Sequence, residues 1–185
     1  MGKRLVFLGP PGSGKGTQAT FVAEREGIPA ISTGEMLREA VDAGTPLGLK
    51  VKDVLAGGKL VDDALMASLV RERLDREDAR EGFLLDGYPR TIAQAEALDK
   101  ILEDVGGELD AVVFIDVPKE ELVRRALERK RKDDTPEVIE ERLAVYGNKT
   151  APLIGYYKDR GLLKTIDGNR SIEEVTSMIE EALGG

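Results

Sequence analysis

Neither cysteine nor histidine occurs anywhere in this chain of 185 residues. The first absence excludes disulfides and thiolate metal sites. The second excludes acid–base or metal chemistry built on imidazole. Long apolar runs are missing too, since none approaches the ~20 residues of a membrane span. The opening "MGKRLVFLGPPG" holds no basic leader followed by an apolar core. The expectation is a cytoplasmic protein with no membrane partner. Positive charge is in deficit, with 27 Lys and Arg against 35 Asp and Glu, a net charge of −8. Nucleic-acid binders are usually basic, so no nucleic-acid partner is expected. An acidic chain can still bind a polyphosphate if its basic side chains converge on one cleft. The length suits one domain burying roughly 70% of its unfolded surface, and no repeat or low-complexity linker divides it.

What is present starts with "FLGPPGSGKGTQAT", Phe7 to Thr20. Lys3 to Leu8 is a short apolar run that suits a buried strand. From Gly9 the spacing is glycine, four residues, Gly14, Lys15, the pattern of a phosphate-binding loop between strand and helix. Glycines let backbone N–H groups turn inward around an anion. The helix start adds partial positive charge, and Lys15 adds a full one. The position after the lysine is normally Ser or Thr, which holds Mg²⁺ directly. Here it is Gly16, and the hydroxyl follows at Thr17. A metal is therefore expected on phosphate oxygens and water, with no direct protein ligand.

Further along, "GFLLDG" (Gly82–Gly87), "AVVFIDV" (Ala111–Val117) and "LLKTID" (Leu162–Asp167) read as buried strands. Helical patterns cover 14–26, 34–43, 46–56, 62–76, 91–103, 119–130, 136–160 and 171–183. The alternation predicts an α/β fold with a parallel sheet covered on both faces. Ligands in such sheets bind at the carboxyl ends of the strands, where the glycine loop, Asp86 and Asp116 fall.

Three stretches could add to a site. In "AISTGEMLREAV" (Ala30–Val41), Ser32 and Glu35 form a capping box, and Arg38 lies off the apolar stripe. Arg38 is either solvated or cleft-facing. In "FLLDGYPRTIAQAEAL" (Phe83–Leu98), Asp86 ends a buried strand and needs a lysine, a metal-bound water or backbone donors. Arg90 can fork onto a phosphate. Gln94 can offer a donor and an acceptor to a base edge, or be an exposed helix residue. In "LVRRALERKRKDDTPEVIEERL" (Leu122–Leu143), Arg125 and Arg129 share a helix face, and Arg131 and Arg142 lie close on the hairpin. The alternative is a solvated charged hairpin. Thr135-Pro136 reads as N-cap and first helical residue.

Together these motifs resemble the adenylate kinase family. "GPPGSGKGTQA", "ISTGEMLR", "GKLV" (Gly58–Val61), "FLLDGYPRT", "RKDD" and "TAPLIGYY" (Thr150–Tyr157) keep the family's order from Lys3 nearly to the C-terminus. The resemblance implies a three-layer P-loop fold with a five-stranded parallel sheet. It also implies a nucleotide-monophosphate flap at about 32–61 and a short lid at 128–134, without the zinc site of long-lid relatives. It implies phosphoryl transfer from MgATP to AMP giving two ADP, by a monomer. Gly12, Ser13, Gly14, Lys15, Gly16 and Thr17 would cradle ATP. Arg125 would pack on its adenine, and the backbone near Arg170 would touch the base edge. Arg129, Arg131 and Arg142 would clamp the phosphates. Thr33, Arg38, Lys59, Leu60, Val61, Gly87, Tyr88, Pro89, Arg90 and Gln94 would hold AMP, together with Arg131 and Arg142. Asp86 would organise waters around Mg²⁺. Asp133 and Asp134 would either orient the lid arginines or only favour the next helix start.

Two features depart from the family pattern. Glu35 stands where Asp is usual, and Gly147 falls inside a predicted helix at a cost of up to ~1 kcal/mol. Two other functions compete. A UMP- or CMP-type kinase tends to carry a small residue other than Thr at position 33. A GTPase-type switch would need an Asn-Lys-x-Asp segment, and Asn148-Lys149-Thr150-Ala151 lacks the aspartate.

Overall fold

The computed structural model describes residues 2–129 and 135–184. Five segments form strands: β1 (Arg4–Leu8), β2 (Ala30–Ser32), β3 (Phe83–Asp86), β4 (Ala111–Asp116) and β5 (Leu163–Asp167). They make one parallel sheet in the order β2-β3-β1-β4-β5. Side chains alternate across it, as a strand's period of two requires. Val6, Leu8, Leu85, Val112 and Phe114 pack into one buried cluster. Leu5, Phe7, Leu84, Val113 and Ile115 pack into the other. Both faces are covered, which is why these strands read as continuous apolar runs rather than alternating ones.

The helices are α1 (Lys15–Glu26), α2 (Thr33–Ala43), α3 (Pro46–Ala56), α4 (Asp63–Leu74), α5 (Ile92–Asp104), α6 (Lys119–Arg129), α7 (Pro136–Val145), α8 (Pro152–Lys158) and α9 (Ile172–Ala182). Residues of α1 and α9 pack on the Leu5–Phe7 face, and residues of α2 to α5 and α8 on the Val6–Leu8 face. No helix among the described residues is long and apolar enough to cross a membrane.

Three elements differ from the sequence expectation. The sequence pattern predicts no strand at β2, because three residues after Pro29 carry no readable period. β5 is an edge strand with Lys164, Thr165 and Asp167 exposed, so only one side of it is buried by the sheet. The single helix expected over 136–160 is broken. α7 ends at Val145, and a π-turn spans Tyr146–Thr150, closed by Ala151 N–H donating to Tyr146 O at 2.7 Å. Pro152 explains the break: it has no N–H to donate to residue 148, and its ring would meet that carbonyl. A wider turn upstream relieves both.

Candidate functional site

β1 delivers the chain at the centre of the sheet, where the strand order switches sides. The loop that follows uses left-handed backbone at Gly12 (φ 88°) and Gly14 (φ 89°), which L side chains rarely adopt. A Cβ on Gly12 would stand 3.0 Å from the Leu122 carbonyl oxygen, so the loop lies directly against α6. α1 then starts with no side-chain cap and no acid in its first turn. Side-chain oxygens of Ser, Thr or Asp cap α2, α3, α4, α5, α7 and α9. The first N–H groups of α1 are thus left for an external anion. The hydroxyl of Ser13 is buried with no hydrogen-bond partner among the described residues.

A cavity of about 310 Å³ opens above the carboxyl ends of the strands. Gly12 to Thr17 form its floor, with Asp86 beside them. Lys15 Nζ lies 3.2 Å from Asp86 Oδ1. That is ion-pair distance, although Oδ1 accepts no well-formed hydrogen bond among the described residues. The other carboxylate oxygen faces Gly16, whose added Cβ would sit 3.6 Å away.

The opposite wall carries the arginines. Gly34 sits between two of them: its Cβ would stand 3.1 Å from Nη1 of Arg38 and 3.5 Å from Nη2 of Arg90. Arg90 is steered there by Nε donating to the Gly87 carbonyl at 2.7 Å. Gly87 has φ 92°. A side chain there would press on the Thr33 hydroxyl at 2.9 Å and on Arg90 at 3.0 Å. Burial lowers the pKa of Arg90, and the nearby charges of Arg38 and Arg142 add to this, against the opposing effect of Asp86. Lys15, Arg38, Arg90 and Arg142 are therefore among the basic groups that line one cavity, with Lys59, Arg125 and Arg129. The arrangement suits a ligand with several negative charges.

Gln94 is buried at 2% exposure rather than solvated. Its Oε1 accepts from the Arg90 N–H at 2.7 Å, and its Nε2 donates to Asp63 Oδ1 at 2.9 Å. Arg125 donates to the carbonyls of Gly12 (3.4 Å), Ser13 (3.3 Å) and Gly168 (3.1 Å), and so ties α6 to the glycine loop. Its Nε is held by Glu121 at 3.0 Å. The loop after α3 meets α7 at Gly58, whose added Cβ would lie 3.0 Å from the Val138 carbonyl and 3.3 Å from Arg142 Cγ. Lys59 pairs with Glu141 at 3.5 Å.

Of the residues expected at the site, the cavity is lined by Gly12 to Thr17, Thr33, Arg38, Lys59, Leu60, Val61, Asp86, Gly87, Pro89, Arg90, Gln94, Arg125, Arg129 and Arg142. Two stand apart. Tyr88 is fully buried in the core, with its hydroxyl pKa pushed up to about 12 by burial and then by the charge of Asp63. Arg170 is exposed and paired with Asp167 at 2.9 Å and Glu174 at 3.6 Å. Arg131, Asp133 and Asp134 lie outside the described residues. Ser32 caps α2 by accepting from the Glu35 N–H at 3.2 Å, and Glu35 is exposed.

Three residues were missed. Glu121 precedes Arg125 by four residues, a helix spacing that could have flagged it. Thr150, at the end of the π-turn, donates to the Arg90 carbonyl at 2.7 Å; only its place in "TAPLIGYY" marked it. Asp63 looks like any first-turn acid, and no sequence signal separates it.

Comparisons with known proteins identify the family. A family model described as adenylate kinase matches residues 7–162. The chain is 52% identical over 185 residues to an adenylate kinase of Xanthomonas euvesicatoria pv. vesicatoria, covering 98% of this chain and 99% of that one. It is 52% identical over 190 residues to one from Azorhizobium caulinodans, covering 97% and 98%. It is 51% identical over 190 residues to one from Chelativorans sp., with the same coverage.

Proposed function

The chain belongs to the adenylate kinase family, and from that premise we propose how its cleft carries out the family's reaction. The enzyme is a phosphotransferase that moves the terminal phosphate of ATP reversibly to AMP, giving two ADP. The observation that carries the assignment of roles is the convergence of Lys15, Arg38, Arg90 and Arg142 on one cavity between the uncapped start of α1 and Gln94. One end suits a triphosphate and the other a purine monophosphate.

On this reading ATP lies along Gly12–Thr17, with its base towards Arg125 and the backbone near Arg170. AMP lies against Thr33, Arg38, the 59–61 segment, Gly87 to Arg90 and Gln94. The acceptor is already an anionic phosphate oxygen, so no general base is required, and the absence of histidine is no handicap. Catalysis reduces to alignment and to neutralising charge that spreads over the transferring group. Lys15, Arg90, Arg129 and Arg142 supply that charge. The segment at 32–61 would close over the nucleotides and exclude water, which otherwise competes as acceptor; the lid expected at 128–134 lies mostly outside the described residues.

The site also fits Mg²⁺. Asp86 offers an oxygen without a well-formed hydrogen bond, Thr17 adds a hydroxyl on the first turn of α1, and both are hard donors. No cluster of three or more acidic side chains, His or Cys capable of holding a metal occurs among the described residues. Nucleotide phosphates and water would form the ion's shell, with Asp86 and Thr17 holding the waters. Bound with the nucleotide, the ion neutralises charge on the phosphates.

Chemical-shift mapping on ¹⁵N-labelled protein tests the placement. MgATP alone should move the amides of Gly12 to Thr17, and AMP alone those of Thr33, Gly34, Gly87 and Gln94. AMP acting first on the glycine loop would reverse the assignment.

A further inference from the structure

Asp62 and Asp63 are adjacent at the start of α4 and have different tasks. Asp62 caps its own helix, with Oδ1 accepting from the N–H of Ala64 at 2.7 Å and of Leu65 at 3.3 Å. Asp63 reaches across to α5 instead. Its Oδ1 accepts from Gln94 Nε2 at 2.9 Å and from the Thr91 hydroxyl at 3.3 Å. It stands at the first turn of α4 and beside Thr91, the N-cap of α5, where helix dipoles favour an anion.

The consequence is for the Gln94 amide. A backbone N–H can only donate, so the amide atom facing Arg90 N must be oxygen. An ionised carboxylate only accepts, so the atom facing Asp63 must be nitrogen. Turning the amide over would set NH₂ against N–H and oxygen against carboxylate. Its orientation is thus fixed from both ends, inside a residue only 2% exposed.

Each amide atom keeps one further capacity: the second hydrogen of Nε2 and the second lone pair of Oε1. Gln94 lines the cavity, so a base there would meet a donor and an acceptor in one set order. A 6-aminopurine answers with an accepting ring nitrogen and a donating amino group. A 6-oxopurine presents the same two positions with donor and acceptor exchanged. It would leave buried polar groups unpaired, the situation a hydrogen-bonding site rejects most strongly. We propose that Asp63 is a specificity-determining positioning residue that locks the Gln94 amide in the order that accepts AMP and rejects 6-oxopurine monophosphates. The proposal rests on the acceptor-site reading above.

IMP differs from AMP only on the edge that the amide would read, so the pair tests the lock. At saturating MgATP, kcat and KM are measured with AMP and with IMP for the unaltered chain, Asp63→Ala, Asp63→Glu and Asp62→Ala. Asp63→Ala should raise KM for AMP about tenfold, leave KM for ATP unchanged, and narrow the AMP-to-IMP ratio of kcat/KM at least tenfold. Asp63→Glu should recover part of the ratio. Asp62→Ala, which removes only the helix cap, should lower Tm and leave the ratio intact. Asp63→Asn, neutral and of the same shape, takes the place of the alanine variant if that one does not fold, and should also narrow the ratio. An unchanged ratio in the Asp63 variants overturns the proposal, as does equal narrowing by Asp62→Ala. An unaltered chain that phosphorylates neither acceptor overturns the acceptor-site reading itself, and the proposal with it.

Discussion

Lys15 and Asp86 face each other across the floor of the cleft, Nζ to Oδ1 at 3.2 Å. The two opposite charges are at ion-pair distance. Lys15→Met should lower kcat about 10²–10³-fold, the scale for losing one preorganised charge donor. It also strands a buried carboxylate, at a cost of about 1–3 kcal/mol. The double variant Lys15→Met, Asp86→Asn should therefore melt higher than Lys15→Met alone while remaining inactive. If the double variant melts lower, the pair is not what stabilises this floor.

Gly34 separates effects on binding from effects on folding. An added methyl would meet only the ends of two flexible side chains, Arg38 at 3.1 Å and Arg90 at 3.5 Å. In an early helical position Ala also has the better propensity. Gly34→Ala should keep or raise Tm and raise KM for AMP roughly tenfold, about 1.4 kcal/mol, with KM for ATP unchanged. An unchanged KM for AMP would show that the two guanidinium groups need no close approach.

Gly147 lies in the π-turn with a negative φ and open space around the position of a Cβ. Neither strain nor crowding requires glycine there. Gly147→Ala should raise stability by up to ~1 kcal/mol through the unfolded state, measured by urea denaturation, with activity unaltered. A loss of stability would mean that the turn needs the backbone freedom of glycine.

Glu121 links pH to the donor side. Arg124 and then Arg125 hydrogen-bond its carboxylate and hold its pKa at about 2, against an ordinary value of 4.5. A depressed carboxyl stabilises the fold fully above its ordinary value and loses that contribution as pH falls from 4.5 towards 2. The side chain is half-buried and still reached by solvent, which screens the pair, so the effect is small. Tm curves of the unaltered chain and Glu121→Gln should differ near neutrality and converge as the pH approaches 2. Parallel curves over that range would remove Glu121 from the account.

Much of this was legible in the residues. The glycine loop announces itself because a phosphate cradle needs glycines and a lysine at set spacing. β1, β3 and β4 show because strands buried on both faces are continuous in apolar residues. β2 was hidden by its shortness, and β5 is more exposed than its leucines suggest because it lies at the edge. The break between α7 and α8 could have been read from Pro152, whose missing N–H forbids the unbroken helix drawn through it. The sequence leaves Gln94 open between base reader and exposed helix residue, and its burial overturns the second reading. Asp63 was invisible, since its role depends on α4 and α5 starting side by side, a relationship no local pattern carries.

The most direct test is where the phosphate goes. Enzyme, Mg²⁺ and ATP are mixed with AMP, CMP, UMP or GMP in turn, and once with no acceptor, and the products followed by ³¹P NMR. The account predicts rapid ADP formation with AMP and little free phosphate without an acceptor. Free phosphate in every tube with no transfer, or preferred transfer to a pyrimidine monophosphate, would contradict it.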